Sequence, residues 1–221
     1  MSQNILNFSP QFDLTKDLVI TIDYYTDNPV LSGNYLNNPQ GGLLIGLYDT
    51  NSSLDTTLSS SSISGLNYSP TYYSYTSGMS AGIIGVGFDF DGVFTANATG
   101  NLVPNSITVQ GPYISSFPVI VNTGIIQSLG FEQSYFFGSN IPKRLRVRFT
   151  DFGNTLYVDD FVYNTQTFRN ILSQTWNCSF SSVGVYVSYA FNNSYSSQNL
   201  YIQNINLNGS FTSSFIALST H

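Results

Sequence analysis

Residues 81–94, Ala-Gly-Ile-Ile-Gly-Val-Gly-Phe-Asp-Phe-Asp-Gly-Val-Phe, constrain this chain more than any other stretch. Gly82, Gly85 and Gly87 make the run a poor helix, while its aliphatic and aromatic residues suit a strand buried on both faces. Such a strand cannot bury itself, so the flanking chain must supply a layer on either side. The glycines predict places where a neighbouring layer or a ligand comes close to the backbone. Asp89 and Asp91, two residues apart, share a face near the strand's exit. Carboxylates there act as turn formers, as a metal seat, or as polar contacts for a ligand.

Strand patterns lie on both sides of this run. In residues 18–25, Leu18, Ile20 and Ile22 alternate with Val19, Thr21 and Asp23. Residues 43–49, entered through Gly41-Gly42, and residues 106–110 are two further strands. Residues 5–12 read as a short lead-in, and 113–129 as extended chain with Pro118 at an edge or bulge. Residues 143–150 place Leu145, Val147 and Phe149 inward and Arg144, Arg146 and Arg148 outward. Asp151-Phe-Gly-Asn154 then turns the chain into 155–161, making a hairpin. Residues 183–191 and 199–211 close the series, and a phase slip between Ile202 and Ile205 predicts a bulge. Residues 168–172 are the best helix candidate. Residues 26–40 and 96–104 read as loop and turn. Residues 50–80 form a long Ser-, Thr- and Tyr-rich stretch, of the kind that is functional or ordered by a partner. Many short strands joined by turn chemistry predict an all-β sandwich or jelly roll.

Charged residues are 8% of the chain, against about 25% in an ordinary domain. A net charge of −6 argues against nucleic acid, which needs a basic footprint. The polar surface must be built from Asn, Ser, Thr, Gln and Tyr, which suits subunit packing and glycan contact alike. The lone Cys178 excludes an internal disulfide and reads as a small buried apolar residue. No apolar stretch is long enough to cross a bilayer as a helix, and residues 1–8 lack the basic start and apolar run of a secretory signal. The expectation is a soluble chain made in a cytoplasm. Asn-x-Ser/Thr sequons head at Asn7, Asn51, Asn67, Asn97, Asn177, Asn192 and Asn208, and chance accounts for them in so Asn- and Ser-rich a chain.

The order of these segments resembles the concanavalin A-like lectin and glucanase superfamily. Gly42-Leu-Leu-Ile-Gly-Leu-Tyr-Asp49 is similar to the family's Gly-led strand, and Val86-Gly-Phe-Asp-Phe-Asp91 to its metal-site strand. Residues 106–110, the hairpin 144–160, Val183-Gly-Val-Tyr-Val-Ser188 and residues 200–211 fall where later family strands do. The resemblance implies an all-β jelly-roll β-sandwich of two large antiparallel sheets over residues 1–211, with 212–221 a C-terminal tail. It also implies calcium as the one cofactor to consider, held weakly by Asp89 and Asp91. The metal pattern departs from the family at Gly87, where a glutamate is expected, and at Val93, where a liganding Asn is expected. Gln40-Gly41 stands where the sugar-binding Asp would precede the Gly-led strand, and Thr76-Ser77-Gly78 echoes the family's sugar loop.

The glucanase branch uses two carboxylates, an acid and a nucleophile. The one glutamate, Glu132, lies far from any such pattern, and His221 closes the chain, so neither a carboxylate pair nor a Ser-His-Asp triad is indicated. The chain reads as a non-enzyme. Asp49, Tyr72, Tyr73, Gly78 and Asp91 are candidate ligand contacts, because loop aromatics stack on sugar rings. Tyr68 and Tyr75 are candidate interface residues, as are Arg144, Arg146 and Arg148, whose guanidiniums stand about 7 Å apart on one sheet face. That row either pairs with nearby aspartates or docks on an acidic subunit surface or an acidic polysaccharide. Trp176 belongs to the core or its edge.

Two functions follow as expectations. The first is a structural protein of a virus particle, resembling lectin-like structural proteins of bacteriophages. As a capsid decoration or fibre on the virion surface, it would assemble with other virion subunits as a homo-oligomer and engage a cell-surface glycan. The second is a free carbohydrate-binding lectin. A glycoside hydrolase ranks behind both.

Overall fold

The structure, a computed structural model, describes residues 2–27, 41–52, 68, 79, 81–89, 92–103, 105–112, 115, 118–124, 126, 142–191 and 199–210. In chain order the elements are β1 (Ser2–Asp13), β2 (Leu18–Asp27), β3 (Gly41–Asp49), β4 (Gly82–Asp89), α1 (Val93–Thr99), β5 (Ser106–Gln110), β6 (Val119–Asn122), β7 (Lys143–Thr150), β8 (Thr155–Val162), β9 (Thr167–Thr175), β10 (Ser182–Phe191) and β11 (Asn199–Asn208).

Two antiparallel sheets result, one ordered β1-β10-β3-β4-β5-β6 and the other β11-β2-β7-β8-β9. Alternation sends one set of side chains from each sheet into a shared core. Leu18, Ile20, Ile22 and Tyr24 of β2 and Leu145, Val147 and Phe149 of β7 meet Leu43, Ile45 and Leu47 of β3 and Val86 and Phe88 of β4 there. This is the expected sandwich of two large sheets. The predicted bulge in β11 lies between Ile202 and Asn204, in the pairing with β2.

β4 is buried along its whole length, and a second apolar cluster explains its other face. Leu44, Tyr48, Tyr68, Met79, Ala81, Phe94 and Tyr186 pack on the outer side of the six-stranded sheet. The register places Gly184 opposite Tyr48 and Gly46 opposite Tyr186. Each tyrosine ring therefore lies over the glycine across from it. Tyr68 covers Gly82 and Gly85 in the same way. At Gly82 and Gly85 the close approach that the sequence predicts is made by the chain's own Tyr68.

Three expectations change. Residues 168–172 lie in strand β9, not in a helix. A register shift between Val158 and Asp159 leaves Ile171 without a cross-strand partner, so Leu172 follows it directly and the alternation is lost from view. The lead-in at 5–12 is part of a full strand paired with β10. The strand expected over 81–94 stops at Asp89, and residues 93–99, expected as the run's end and a turn, form α1. Val93-Phe-Thr-Ala-Asn-Ala-Thr99 is weak in helix propensity. The turn of helix is bounded by Gly92 (φ 84°) and Gly100 (φ 76°) and held by burial of Phe94. Cys178 is half-buried, its sulfur close beside Gly153, and burial pushes its thiol above the ordinary range. Trp176 packs at the core's edge. Of the loop expected at 26–40, residues 26 and 27 belong to β2 and the rest lies outside the described residues, as do most of the stretch at 50–80 and the tail at 212–221.

Candidate functional site

Asp89 ends β4, paired with Gly42 on one side and Ser106 on the other. Its buried carboxylate is engaged by the chain itself. Oδ1 accepts the Gly92 amide at 3.0 Å, and Oδ2 accepts the Thr95 amide at 2.9 Å and the Thr95 hydroxyl at 3.1 Å. The carboxylate thus anchors the first turn of α1 against the sheet. Around it, the Asn122 amide nitrogen donates to the hydroxyls of Thr95, Ser106 and Thr108, and Thr95 and Thr108 bond to each other. Gln110 donates to the Phe94 carbonyl at 3.0 Å. These bonds seal α1 onto β5 and β6.

A calcium ion takes six to eight oxygens, mostly carboxylate, carbonyl and water. Asp89 is buried behind its own hydrogen bonds, Asp91 lies outside the described residues, and among the described residues no three His, Cys, Asp or Glu cluster as a metal group. The described donors do not fit a calcium seat, and Asp89 is placed as the anchor of α1.

Asp49 is remote from that end. The antiparallel register sets Gly42 against Asp89 and Tyr48 against Gly82, so Asp49 and Asp89 stand at opposite ends of the β3–β4 pair. Seven residues of strand separate them, about 23 Å. Asp49 Oδ1 accepts the Asn51 amide at 2.9 Å, and Oδ2 accepts the Ser52 hydroxyl at 2.9 Å, closing a turn. Asp49 and Asp89 therefore belong to different ends of the sheet. Tyr72, Tyr73, Tyr75, Gly78 and Asp91 lie outside the described residues. Tyr68 is a correction. Instead of facing a partner it is fully buried, its hydroxyl donating to the Gly111 carbonyl at 2.7 Å, and burial pushes its phenol well above the usual range.

The arginine row lies on the outer face of the five-stranded sheet. Arg144 grips Asp23 through Nε and Nη2. Arg146 and Arg148 share a single carboxylate, Asp159, each through Nε at 2.9 Å. Asn170 donates to the same group at 2.9 Å. Burial by itself pushes the Asp159 pKa up, and the bonds from Arg148, Asn170 and Arg146 outweigh it, holding the carboxyl below its ordinary value. The guanidiniums also stack: Arg144 lies 5.2 Å from the Phe161 ring centre, Arg146 3.7 Å from Phe168 and Arg148 4.5 Å from Tyr157. Pairing with aspartates, one of the two readings of the row, is what the structure contains. The hairpin holds the signal for it. Counting back from Thr150 opposite Thr155 brings Arg146 against Asp159 and Arg148 against Tyr157.

Two facing antiparallel sheets in this order define a class, the legume-lectin-type, concanavalin A-like β-sandwich. No protein-family model matches the chain, and no curated protein matches it in sequence. Among solved structures it is similar to peanut lectin with a bound nine-residue peptide, at 13% identity and TM-score 0.61 over 96% of this chain and 82% of that one. It is similar also to the exoplasmic/lumenal domain of VIP36 with calcium and mannose bound, at 14% identity and TM-score 0.56 over 99% and 80% of the two chains. A legume lectin-like domain from Entamoeba histolytica matches at 12% identity and TM-score 0.56 over 95% and 79%. At such identities the likeness establishes the fold.

Proposed function

We propose that this chain is a non-catalytic glycan-recognition module. Its fold neighbours are lectins, and several of their structures hold sugars: mannose in VIP36 and methyl-α-galactose in a winged bean lectin. The observation that carries the reading is the filled outer face of the six-stranded sheet. Tyr48, Tyr68, Phe94 and Tyr186 occupy it, and Asp89, the buried carboxylate at its end, is tied to its own backbone. Glycoside hydrolysis asks for two carboxyl groups about 5–9.5 Å apart across an open cleft. Recognition is then left to groups off that face, with Asp49, Tyr72, Tyr73, Gly78 and Asp91 as the residues to change first. A glycan array read with calcium and with a chelator tests this. Retention of a sugar class, lost in a Tyr72→Ala/Tyr73→Ala protein, is the expected result. An empty array, or release of reducing sugar from a polysaccharide, overturns it.

The finer expectation, a bacteriophage surface subunit assembling as a homo-oligomer, rests on the sequence resemblance and the charge-poor composition; the neighbours named above are not virion proteins. Light scattering and negative-stain imaging decide it. A strict monomer that does not associate with particles removes it.

A further inference from the structure

We propose that the outer face of the five-stranded sheet binds an acidic saccharide, a uronate- or sulfate-bearing chain, through Arg144, Arg146 and Arg148. The three arginine side chains are 37%, 26% and 30% exposed, whereas their partners Asp23 and Asp159 are 16% and 2% exposed. Three cations face two carboxylates, and the carboxylates lie underneath. The face therefore presents guanidinium edges, although the whole chain carries a net charge of −6.

Those edges are fixed before any ligand arrives. Each guanidinium lies on an aromatic ring and is pinned by a carboxylate, so little side-chain entropy is lost on binding. Arg146 spends only Nε on Asp159, and its two Nη groups have no partner among the described residues. An unclaimed guanidinium edge matches a carboxylate or sulfate. Beyond β2, the exposed side chains of Asn204, Asn206 and Asn208 form a parallel row on β11, two strand spacings or about 10 Å away. That row offers neutral amides for sugar hydroxyls. Self-association through this face would bring guanidinium edges against guanidinium edges. A polynucleotide would find three cations on an acidic protein, a small footprint. The proposal is independent of the glycan reading above, and either stands without the other.

The test is equilibrium binding of the whole protein to sodium alginate and to dextran sulfate, with neutral dextran as the blank and poly(dT) as the competing class. Binding to one or both anionic saccharides, weakening with salt, is expected. Arg146→Lys/Arg148→Lys keeps the charges but loses the fork and the stack, and should weaken binding about tenfold. Thr21→Asp, opposite Arg146 in register, keeps every arginine and the Asp159 pairs, and should weaken it comparably. A circular-dichroism melt confirms that both variants fold. Four results overturn the proposal: no retention of either anionic saccharide at low salt, no loss with Thr21→Asp, poly(dT) binding as tight as alginate, or low-salt self-association that the lysine pair abolishes.

Discussion

Gly46→Ala tests how the outer face of the six-stranded sheet is filled. A methyl at Gly46 would sit 2.1 Å from Cε1 and 2.4 Å from Cζ of Tyr186. Carbon atoms rest about 3.5–4.0 Å apart, so the ring must retreat by roughly 1.5 Å. Tyr186 is fully buried and stacks on Tyr68 with ring centres 6.4 Å apart, and Tyr68 is itself bonded to the Gly111 carbonyl. The retreat therefore displaces packed neighbours, not solvent. Overpacking of this kind costs about 1–3 kcal/mol. In a chain of this size that is a loss of about 3–10 °C in melting temperature.

Denaturant midpoints measured by circular dichroism give the cost, and a double-mutant cycle isolates its cause. Tyr186→Leu removes the atoms that the new methyl meets. In that background Gly46→Ala should be close to neutral, since alanine costs a strand less backbone entropy than glycine. A coupling of about 2 kcal/mol is expected between the two positions. Equal costs in both backgrounds, or a Gly46→Ala protein as stable as the parent, would refute the claim that the tyrosines close this face.

The Tyr186 hydroxyl is buried without a hydrogen-bond partner among the described residues, so Tyr186→Phe should raise stability by about 1 kcal/mol, seen as a higher urea midpoint. Asp89→Ala strips the Gly92 and Thr95 amides of their acceptor and should cost about 3 kcal/mol, while a chelator leaves the parent's melting temperature unchanged; a drop on chelation would restore a calcium seat. Asp159 has its carboxyl held low by Arg148, Asn170 and Arg146 despite burial. Its contribution is present above the unfolded value of about 3.9 and is lost as the pH falls through the lower folded value. Asp159→Asn should cost about 2 kcal/mol at neutral pH and flatten the acid limb of the stability profile, measured by denaturant titration from pH 7 downward. An unchanged acid limb would remove Asp159 from the account.

Alternation made β2, β7, the β7–β8 hairpin and β10 legible, because each buries one face against the opposite sheet. The bulge in β11 was legible for the same reason, as a slip of phase. β9 was hidden by a bulge that sets Ile171 beside Leu172, and two adjacent apolar residues read as a helix turn. α1 carries almost no local signal. Its residues are mostly weak helix formers, and what makes it a helix is Asp89 bonding back to Gly92 and Thr95 together with burial of Phe94. That information lies in contacts between elements, where a periodicity cannot register it. The pairs of the arginine row, by contrast, follow from counting the hairpin register outward from its turn.

Glycines in a lectin-like sheet carry an ambiguity that sequence cannot resolve, since a missing side chain makes equal room for a sugar and for a tyrosine. The chemistry around them resolves it. A sugar site needs exposed polar groups that converge on the gap, whereas Gly46, Gly85 and Gly184 are met by the aromatic rings of Tyr186, Tyr68 and Tyr48. The buried polar groups at the α1 end of the same sheet, on Thr95, Ser106, Thr108 and Asn122, turn to one another. On the opposite sheet, polar chemistry is partly open to solvent, where fixed guanidiniums lie above buried carboxylates. The two faces of the sandwich have therefore exchanged the roles that the glycine run suggests. The face with room for a ligand is filled by the chain, and the face that reads as plain solvated sheet holds the prearranged donors.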